Sequence, residues 1–420
     1  MSCSAWSKVR GPAKKSNTPD AMRQLTRQRD DSAPALRDRA RTAGVYVHFP
    51  YCLAKCPYCD FVSYAKERET IDHAGYADAV LEELRARAAS VAGRRIETVF
   101  FGGGTPSLWD PRELGRVLRG IRETLPCTAE LEITVECNPT SIDEDRARAL
   151  VDQGVNRVSI GVQSLRDERL RYLGRLHDAA GARAAVAGAL RAVPRVSGDR
   201  IFGLPGQTPD ESRTEALELC DLGLSHVSCY QLTIEPGTRF GELARRGRLP
   251  LADDGAVAEG FLAIDEALGA RGFRHYEVSN YARPGQEARH NLGYWRGDEY
   301  LGLGCAAYGF VMNEPGTGVR YRNEVLPEKY VTHPGGTRET SEPLDGPTLM
   351  RERIMLGLRM DGGIDLDEAA AALRTAGWNE ERERASTWLV ERGRVVREAS
   401  RLRVPRAAWL WTDDTAARLF

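Results

Sequence analysis

The chain has 420 residues, of which 42% are apolar, and its 59 basic side chains nearly balance 60 acidic ones. This length predicts one large domain with a smaller one, and a net charge of −1 argues against nucleic acid as the main partner. Nine cysteines, an odd number and mostly scattered, exclude a disulfide framework, while the lack of a signal-peptide pattern or a bilayer-length apolar run predicts a soluble, cytoplasmic protein.

The first 43 residues carry ten Lys or Arg and four Asp or Glu, and they show no sustained helical or strand period. We therefore expect residues 1–43 to form a disordered basic extension rather than a packed element. Such a tail can bind acidic surfaces or RNA. A solvated extension, or a start codon assigned too early, accounts for the same composition.

From residue 44 onward, strand patterns and helix patterns alternate. This alternation predicts an α/β fold with a parallel sheet and helices outside it. Six strand–helix units are too few for a closed eight-stranded barrel, so we expect an open partial (β/α)6 barrel over residues 44–240, with function on the loops after the carboxyl ends of the strands. The predicted strands are 45–49, 96–101, 131–137, 157–160, 195–202 and 226–232, and the predicted helices are 70–91, 111–124, 143–153, 167–173, 179–192 and 209–222.

Two further regions follow the predicted barrel. Residues 241–344 combine a helix at 256–271 with short strands and many glycines. In residues 345–420, three helices precede two short strands, which predicts an α+β, winged-helix-like domain. No basic face is concentrated on one of these helices, so we expect a packing lobe rather than a nucleic-acid binder. The three helices are 349–358, 366–375 and 380–392, and the strands are 394–396 and 402–404.

A loop after the first predicted strand carries three cysteines, Cys52, Cys56 and Cys59, in a Cys-x3-Cys-x2-Cys array. Three thiolates are one ligand short of a closed tetrahedral zinc site or a fully ligated four-iron cluster, so the spacing indicates a metal centre with an open position. The same spacing describes one face of a helix with buried cysteines, but prolines in and before the loop would interrupt a helix. Structural zinc, with His48 as the fourth ligand, is the stronger alternative.

The cysteine loop resembles that of the radical S-adenosylmethionine (SAM) superfamily, in which the cysteines hold three irons of a [4Fe-4S] cluster and SAM chelates the fourth. The likeness covers residue 44 to the end of the chain and is closest to the branch that contains the oxygen-independent coproporphyrinogen III oxidases and the HemW haem chaperones. The oxidases carry another cysteine where this chain has Phe61, so the loop is more similar to that of the chaperones. The flanking residues that carry this resemblance are Tyr46, His48, Pro50, Tyr58 and Phe61.

The resemblance implies a SAM site at the ends of the barrel strands. Gly102 to Thr105 directly follow the second strand and look like the segment that holds the amino group and carboxylate of SAM, although a glycine run alone can be a tight turn. Polar residues at other strand ends can instead be salt bridges that close the barrel mouth. Arg200 departs from the family, which usually has an apolar residue there. The expected cofactor-binding residues are Tyr46, Tyr58, Gly103, Gly104, Thr105, Glu136, Gln163, Arg175 and Asp199.

The block His290-Asn-Leu-Gly-Tyr294-Trp295 is similar to a haem-binding signature of HemW-like proteins. The resemblance implies that His290 ligates haem iron, that the two aromatic rings face the porphyrin, and that residues 241–344 form a haem or porphyrin region. A histidine beside aromatic residues can equally be a hydrogen-bonded core residue.

Residues 301–309 look like a glycine-rich family segment that normally contains a histidine, but Tyr308 occupies its place. We expect this replacement to alter haem affinity or geometry if the histidine matters. Cys305 or Tyr308 is then a candidate substitute ligand.

The leading hypothesis is a haem chaperone that binds haem, a [4Fe-4S] cluster and SAM and delivers haem to acceptors such as respiratory enzymes. The cluster would serve structure, dimerisation or transfer, without coproporphyrinogen dehydrogenase activity. A homodimer, and a membrane contact made only through the acceptor, are compatible with this interpretation. The alternative is a radical enzyme that decarboxylates the propionate chains of coproporphyrinogen III, and a zinc-dependent structural protein is a third hypothesis.

Overall fold

A computed structural model describes residues 42–334 and 338–420 of the chain. The predicted extension therefore lies outside the described residues, except that its last two residues, Thr42 and Ala43, open the first strand. The described strands are β1 (Thr42–Phe49), β2 (Tyr51–Cys52), β3 (Tyr64–Ala65), β4 (Arg95–Gly103), β5 (Cys127–Cys137), β6 (Arg157–Gln163), β7 (Arg195–Phe202), β8 (His226–Gln231), β9 (Arg274–Glu277), β10 (Asn280–Ala282), β11 (Tyr300–Leu303), β12 (Tyr308–Glu314), β13 (Thr317–Asn323), β14 (Arg338–Leu344), β15 (Ile364–Asp365), β16 (Val396–Glu398) and β17 (Arg401–Arg403).

Several helices are shorter than the sequence pattern predicts, and most begin after a capping side chain. Asp110, Asp143 and Asp178, for example, each accept a hydrogen bond from a backbone N–H of the first turn that follows. The described α-helices are α1 (His73–Arg87), α2 (Pro111–Thr124), α3 (Glu144–Asp152), α4 (Asp167–Tyr172), α5 (Ala179–Ala192), α6 (Pro209–Asp221), α7 (Arg239–Arg245), α8 (Asp254–Ala270), α9 (Arg289–Arg296), α10 (Pro327–Thr332), α11 (Gly346–Gly357), α12 (Leu366–Leu373), α13 (Glu380–Glu391) and α14 (Thr412–Ala417).

Six parallel strands form the centre of the molecule in the order β1-β4-β5-β6-β7-β8, and each adjacent pair is hydrogen-bonded in parallel. Alternate side chains of each strand point to opposite faces of the sheet. On β1, Val45 and Val47 are fully buried in the main core with residues of α1 and α2, whereas Tyr46 faces the barrel interior. The predicted partial (β/α)6 barrel is confirmed.

Residues 274–344 extend this sheet at both edges. Strand β11 pairs in parallel with β1, and β12 to β14 continue beyond it as antiparallel strands. At the other edge, β10 pairs antiparallel with β8 and β9 pairs with β10. The region predicted at 241–344 thus contributes strands to a twelve-stranded sheet.

The C-terminal lobe follows the order α11, β15, α12, α13, β16, β17, with an antiparallel sheet β15-β17-β16. It encloses its own apolar core, which includes Leu349, Ile354, Leu366, Leu389 and Leu402. This element order is that of a winged helix. The sequence pattern missed β15, which is only two residues long. No helix in the described part of the chain is long and apolar enough to span a membrane.

Candidate functional site

The three cysteines lie at the mouth of the barrel, in the loop that follows β1. Cys52 lies in the short strand β2, and the N–H of Cys59 donates to the carbonyl of Cys56 at 3.1 Å. All three thiols are partly buried and free. Burial raises the pKa of the Cys59 thiol to about 11 and that of Cys52 above its usual value. Thiols in such a place become thiolates when a metal centre binds them.

Two side chains from other segments donate hydrogen bonds to cysteine sulfurs, one from the loop after β4 and one from the loop after α4. The hydroxyl of Thr105 lies 3.3 Å from Sγ of Cys52, and Nη1 of Arg175 lies 3.3 Å from Sγ of Cys56. The same Arg175 nitrogen is 3.4 Å from the hydroxyl of Tyr58. Donors of this kind stabilise the negative charge on a bound thiolate.

His48 anchors the cysteine loop rather than completing a zinc site. Its Nε2 lies 2.9 Å from the carbonyl oxygen of Val62, and its Nδ1 lies 3.0 Å from the hydroxyl of Tyr46. Burial lowers the pKa of His48 to about 4, so the ring is neutral and Nε2 carries the proton that Val62 accepts. Within the residues that the structure describes, no three His, Cys, Asp or Glu side chains are placed to hold a single ion. Both ring nitrogens of His48 already have hydrogen-bond partners, so in this conformation the ring does not serve as a fourth zinc ligand.

The glycine loop after β4 is fixed to the cysteine loop by backbone hydrogen bonds. The N–H of Gly104 donates to the carbonyl of Phe49 at 2.7 Å, and the N–H of Thr105 donates to that of Tyr51 at 2.9 Å. A Cβ on Gly104 would come within 2.6 Å of the Tyr51 carbonyl oxygen, so this close approach requires glycine. The N–H of Gly103 donates to Oε2 of Glu136 at 3.1 Å. The two loops therefore form one unit.

Two carboxylates lie inside the mouth, that of Glu136 near the end of β5 and that of Asp199 within β7. Burial and the nearby charge of Asp199 raise the pKa of Glu136 to about 7. Burial also raises the pKa of Asp199, although the hydroxyls of Ser159, Ser197 and Ser228 donate to its carboxylate at 2.7–3.3 Å. Two partly compensated carboxylates facing one space favour a ligand that carries hydrogen-bond donors or positive charge.

Gln163, the last residue of β6, and Arg175, in the loop after α4, complete the mouth. Gln163 has φ of +63°, a left-handed conformation that is uncommon for residues other than glycine. Arg175 donates to the carbonyl of Gly161 at 3.1 Å as well as to Cys56. The expected cofactor residues from six different segments thus lie around one opening, next to the three cysteines. A sulfonium-bearing amino acid with a free amino group fits the carboxylates, and its own carboxylate fits the guanidinium of Arg175, whose Nε is buried without a hydrogen-bond partner.

His290 packs against Tyr46, with the two ring centroids 6.5 Å apart. Its side chain is only 3% exposed, and its ring stacks on Phe100 with centroids 5.0 Å apart. Nδ1 lies 2.7 Å from the hydroxyl of Thr98, and Nε2 lies 2.9 Å from that of Tyr294. As folded, His290 offers neither nitrogen to haem iron, and ligation would require one of these bonds to break. Its assignment as a haem ligand stays a prediction.

The two candidate substitute ligands differ in exposure. Cys305 is fully buried, and its thiol donates to the carbonyl of Val325 at 2.9 Å. Tyr308 is 36% exposed, and the guanidinium of Arg322 lies 5.2 Å from its ring centre. Only the second residue is accessible to a ligand in this conformation.

A buried charge cluster inside the barrel was not predicted from the sequence. Glu132 is 1% exposed, accepts a hydrogen bond from the N–H of His290 at 3.1 Å and lies 2.7 Å from Nη1 of Arg195. Arg157 and Arg195 hold the pKa of Glu132 below its usual value against the opposing effect of burial. The signal was present, because Glu132, Thr134 and Glu136 alternate with apolar residues along β5, which indicates a polar face inside the barrel.

Comparisons with known proteins agree with this site. Residues 46–220 match the radical SAM superfamily, and residues 344–411 match the HemN C-terminal domain. The heme chaperone HemW of Escherichia coli strain K12 is 39% identical over 307 residues, which cover 72% of this chain and 80% of that protein. The chain belongs to the HemW family of radical SAM proteins.

Two other relatives match a larger share of the chain. The heme chaperone HemW of Mycobacterium tuberculosis strain H37Rv is 35% identical over 83% of this chain and 87% of its own length. The mitochondrial radical S-adenosyl methionine domain-containing protein 1 of Bos taurus is 38% identical over 82% of this chain and 79% of its own length. A solved structure of coproporphyrinogen III oxidase (HemN) from Escherichia coli has a TM-score of 0.76 over 91% of this chain and 92% of that chain, and at 22% identity it shows a shared fold.

Proposed function

We propose that this HemW family member is a haem chaperone that binds a [4Fe-4S] cluster, SAM and haem and delivers haem to acceptor proteins such as respiratory enzymes. The observation that carries the proposal is Phe61, which is 45% exposed in the cysteine loop where the oxidases have a further cysteine. The names of the HemW relatives support the same assignment.

The residues at the barrel mouth have distinct roles in this proposal. Cys52, Cys56 and Cys59 ligate the cluster, while Thr105 and Arg175 donate to their sulfurs. When bound and reduced, a cluster of this superfamily supplies the electron for SAM cleavage. The other mouth residues orient SAM and keep water away from it, and they are Tyr46, Tyr58, Gly103, Gly104, Glu136, Gln163 and Asp199.

The haem site is proposed on helix α9 and its surroundings. His290, Tyr294 and Trp295 lie on this helix, and the guanidinium of Arg359 from the C-terminal lobe lies 6.0 Å from the centre of the Trp295 ring. Arginine and aromatic side chains suit a planar ligand with two carboxylates. Ligation of iron by His290 Nε2 requires the Tyr294 hydroxyl to leave first.

Haemin titration of the reconstituted, anaerobic protein tests the proposal. We expect a saturable shift of the haem absorption band with one haem per chain, and transfer of that haem to an added apo-cytochrome. The same preparation is incubated with SAM, a reductant and coproporphyrinogen III. Formation of protoporphyrinogen at catalytic turnover would contradict the chaperone assignment, as would the absence of haem binding.

An oxygen-independent coproporphyrinogen III oxidase is the alternative function. It is favoured by the complete set of strand-end residues around the mouth, since a chaperone that never cleaves SAM has no evident need for both carboxylates, Glu136 and Asp199. The incubation above decides between the two activities, because the oxidase predicts product and the chaperone predicts none.

The setting in the cell is also part of the proposal. We place the protein in the cytoplasm, where a reducing environment keeps thiols free. The eight cysteines of the described residues are all free thiols. We further propose that residues 44–240 form the cofactor-binding barrel, 241–344 the haem region and 345–420 the winged-helix-like domain. Size-exclusion chromatography with and without cluster and haem tests for a homodimer.

A further inference from the structure

Arg200 and Glu215 form an ion pair behind the barrel wall. Arg200 follows Asp199 on β7 and therefore points away from the barrel interior, and it is only 1% exposed. Its Nη2 lies 3.5 Å from Oε2 of Glu215 on helix α6, and its Nη1 donates to the carbonyl of Ser212 at 2.6 Å. Glu215 is equally buried, at 2% exposed. Charges buried this deeply persist only when each has partners, so the two groups fix one another.

The second oxygen of Glu215 holds the loop after β6. Oε1 accepts from the hydroxyl of Ser164 at 2.6 Å and from the N–H of Leu165 at 2.7 Å. These are the two residues that follow Gln163, whose φ of +63° is sparsely populated outside glycine. Such a conformation persists only where its surroundings impose it. The contacts to Glu215 supply that constraint on the carboxyl side of Gln163.

The same carboxylate also holds the loop after β7. Nε2 of Gln207 donates to Oε2 of Glu215 at 3.3 Å. Oε1 of Gln207 in turn accepts from the N–H groups of Gly203 at 2.9 Å and Leu204 at 3.3 Å. One buried carboxylate therefore sets the position of two neighbouring loops at the barrel mouth.

We propose that Arg200 is a positioning residue for SAM, which acts through Glu215 to fix Gln163 and the loops after β6 and β7. This inference rests on the proposed function, because SAM is the ligand that Gln163 would contact. The guanidinium holds the Glu215 carboxylate in place, and in this position the carboxylate accepts three further hydrogen bonds, from Ser164, Leu165 and Gln207. With an apolar residue at position 200, Glu215 would lose this partner, and the loops after β6 and β7 would have to be fixed by other contacts.

Arg200→Met tests the link in two ways. In the cluster-free protein, amide hydrogen exchange of residues 164–166 should become at least tenfold faster, since the Leu165 N–H loses a fixed acceptor. In the reconstituted protein with unchanged iron content, the dissociation constant for SAM, measured by equilibrium dialysis, should rise about tenfold, the range expected when an outer partner of a bound ligand is removed. Arg200→Lys retains a donor for Glu215 and should recover part of both losses.

Arg382→Met provides the matched control. Arg382 is 6% exposed in the C-terminal lobe and donates to the carbonyl of Leu419 at 2.7 Å, so its loss should also lower the melting temperature. It should leave exchange at residues 164–166 and SAM affinity unchanged. If Arg200→Met lowers the melting temperature but changes SAM affinity less than twofold, as Arg382→Met does, the proposal is overturned.

Ser164→Ala covers the case in which Arg200→Met does not fold. It leaves the ion pair intact and removes the hydroxyl that donates to Glu215 and accepts from the N–H of Arg166, so SAM affinity should fall several-fold with a smaller loss of stability than in Arg200→Met. Unchanged affinity in this variant would also overturn the proposal. A wild-type chain that takes up iron but binds no SAM would instead refute the proposed function, and the exchange measurement distinguishes the two failures because it uses no SAM.

Discussion

The imidazole ring of His48 fills the space in which a side chain at residue 103 would have to lie. A Cβ built on Gly103 would come within 2.5 Å of this ring, and Gly103 has φ of +107°. Glycine is therefore required there by the packing of His48 and by the backbone conformation, in addition to any contact with a ligand. Since His48 also anchors Val62, the glycine loop and the cysteine loop share one buried ring.

Gly103→Ala should lower the free energy of unfolding by about 2–4 kcal/mol, because it combines overpacking with a left-handed φ. SAM affinity should fall as well, since the displaced loop holds the Glu136 carboxylate through the N–H of Gly103. Urea denaturation of the cluster-free protein and SAM dialysis measure the two effects. Gly93→Ala is the control, because Gly93 has φ of +77° but open space around its Cβ, and it should cost only about 1–2 kcal/mol without affecting SAM. Equal effects of both substitutions would refute the role of His48.

The pKa of Glu136 predicts a dependence of stability on pH. Its folded-state pKa of about 7 lies above its ordinary value, so the folded state binds the proton more tightly than the unfolded state does. The protonated side chain supports the fold below about pH 4.5, and this contribution is lost as the pH rises to about 7. Glu136→Gln removes the titration and should raise the free energy of unfolding at pH 8 by about 1–3 kcal/mol.

Denaturation of the cluster-free protein at pH 5 and pH 8 measures this difference. Glu132→Gln is a contrasting variant, because two arginines hold the pKa of Glu132 below its usual value and its charged form stabilises the fold. We expect Glu132→Gln to destabilise the protein at both pH values. Loss of stability in Glu136→Gln at pH 8 would show that its carboxylate is charged and satisfied in the folded protein.

Thr105→Val should make the cluster harder to reduce. The Thr105 hydroxyl donates to Sγ of Cys52 at 3.3 Å, and a donor to a ligand sulfur stabilises the reduced cluster more than the oxidised one. Loss of one hydrogen bond worth about 1 kcal/mol corresponds to a decrease in midpoint potential on the order of 40 mV. Redox titration followed by electron paramagnetic resonance measures it, with Thr387→Val in the C-terminal lobe as the control. An unchanged potential would mean that this bond is absent in the loaded protein.

Tyr294→Phe and His290→Ala together test the haem ligand. If His290 is the ligand, Tyr294→Phe frees its Nε2 and should tighten haem binding by about fivefold, the worth of one hydrogen bond. His290→Ala should then abolish the imidazole signature in the haem spectrum. It should also lower the free energy of unfolding by about 2 kcal/mol, since Thr98 loses a buried partner. A destabilised His290→Ala variant with an unchanged haem spectrum would assign His290 a structural role alone.

The elements that the sequence predicted well are those whose pattern is local. The helices at 111–124 and 179–192 agree with the structure residue for residue because a capping aspartate precedes each, and the strand at 195–202 agrees as well. The pairing of β11 with β1 could not be predicted, since it joins residues about 255 positions apart and leaves no trace in either strand's periodicity.

The site shows the same division between local motif and distant contact. The residues of the mouth could be named because their segments resemble those of the radical SAM superfamily, and parallel strands bring their carboxyl ends together. The bonding of His290 could not, because its partners Thr98 and Glu132 lie on two other strands and look like ordinary strand residues. In the sequence, Arg200 departs from the apolar residue that is usual in the family, but only the fold shows that Glu215 lies against it.

The extension of the barrel sheet on both sides limits how the chain can be divided. A fragment that ends near residue 240 would leave β1 and β8 as exposed edges, with unpaired backbone N–H and carbonyl groups along each. Such a fragment would be prone to self-association and aggregation even though it retains every cluster ligand. The strands that follow residue 270 therefore cover both edges of the barrel sheet. The smallest soluble unit of this protein has to include them.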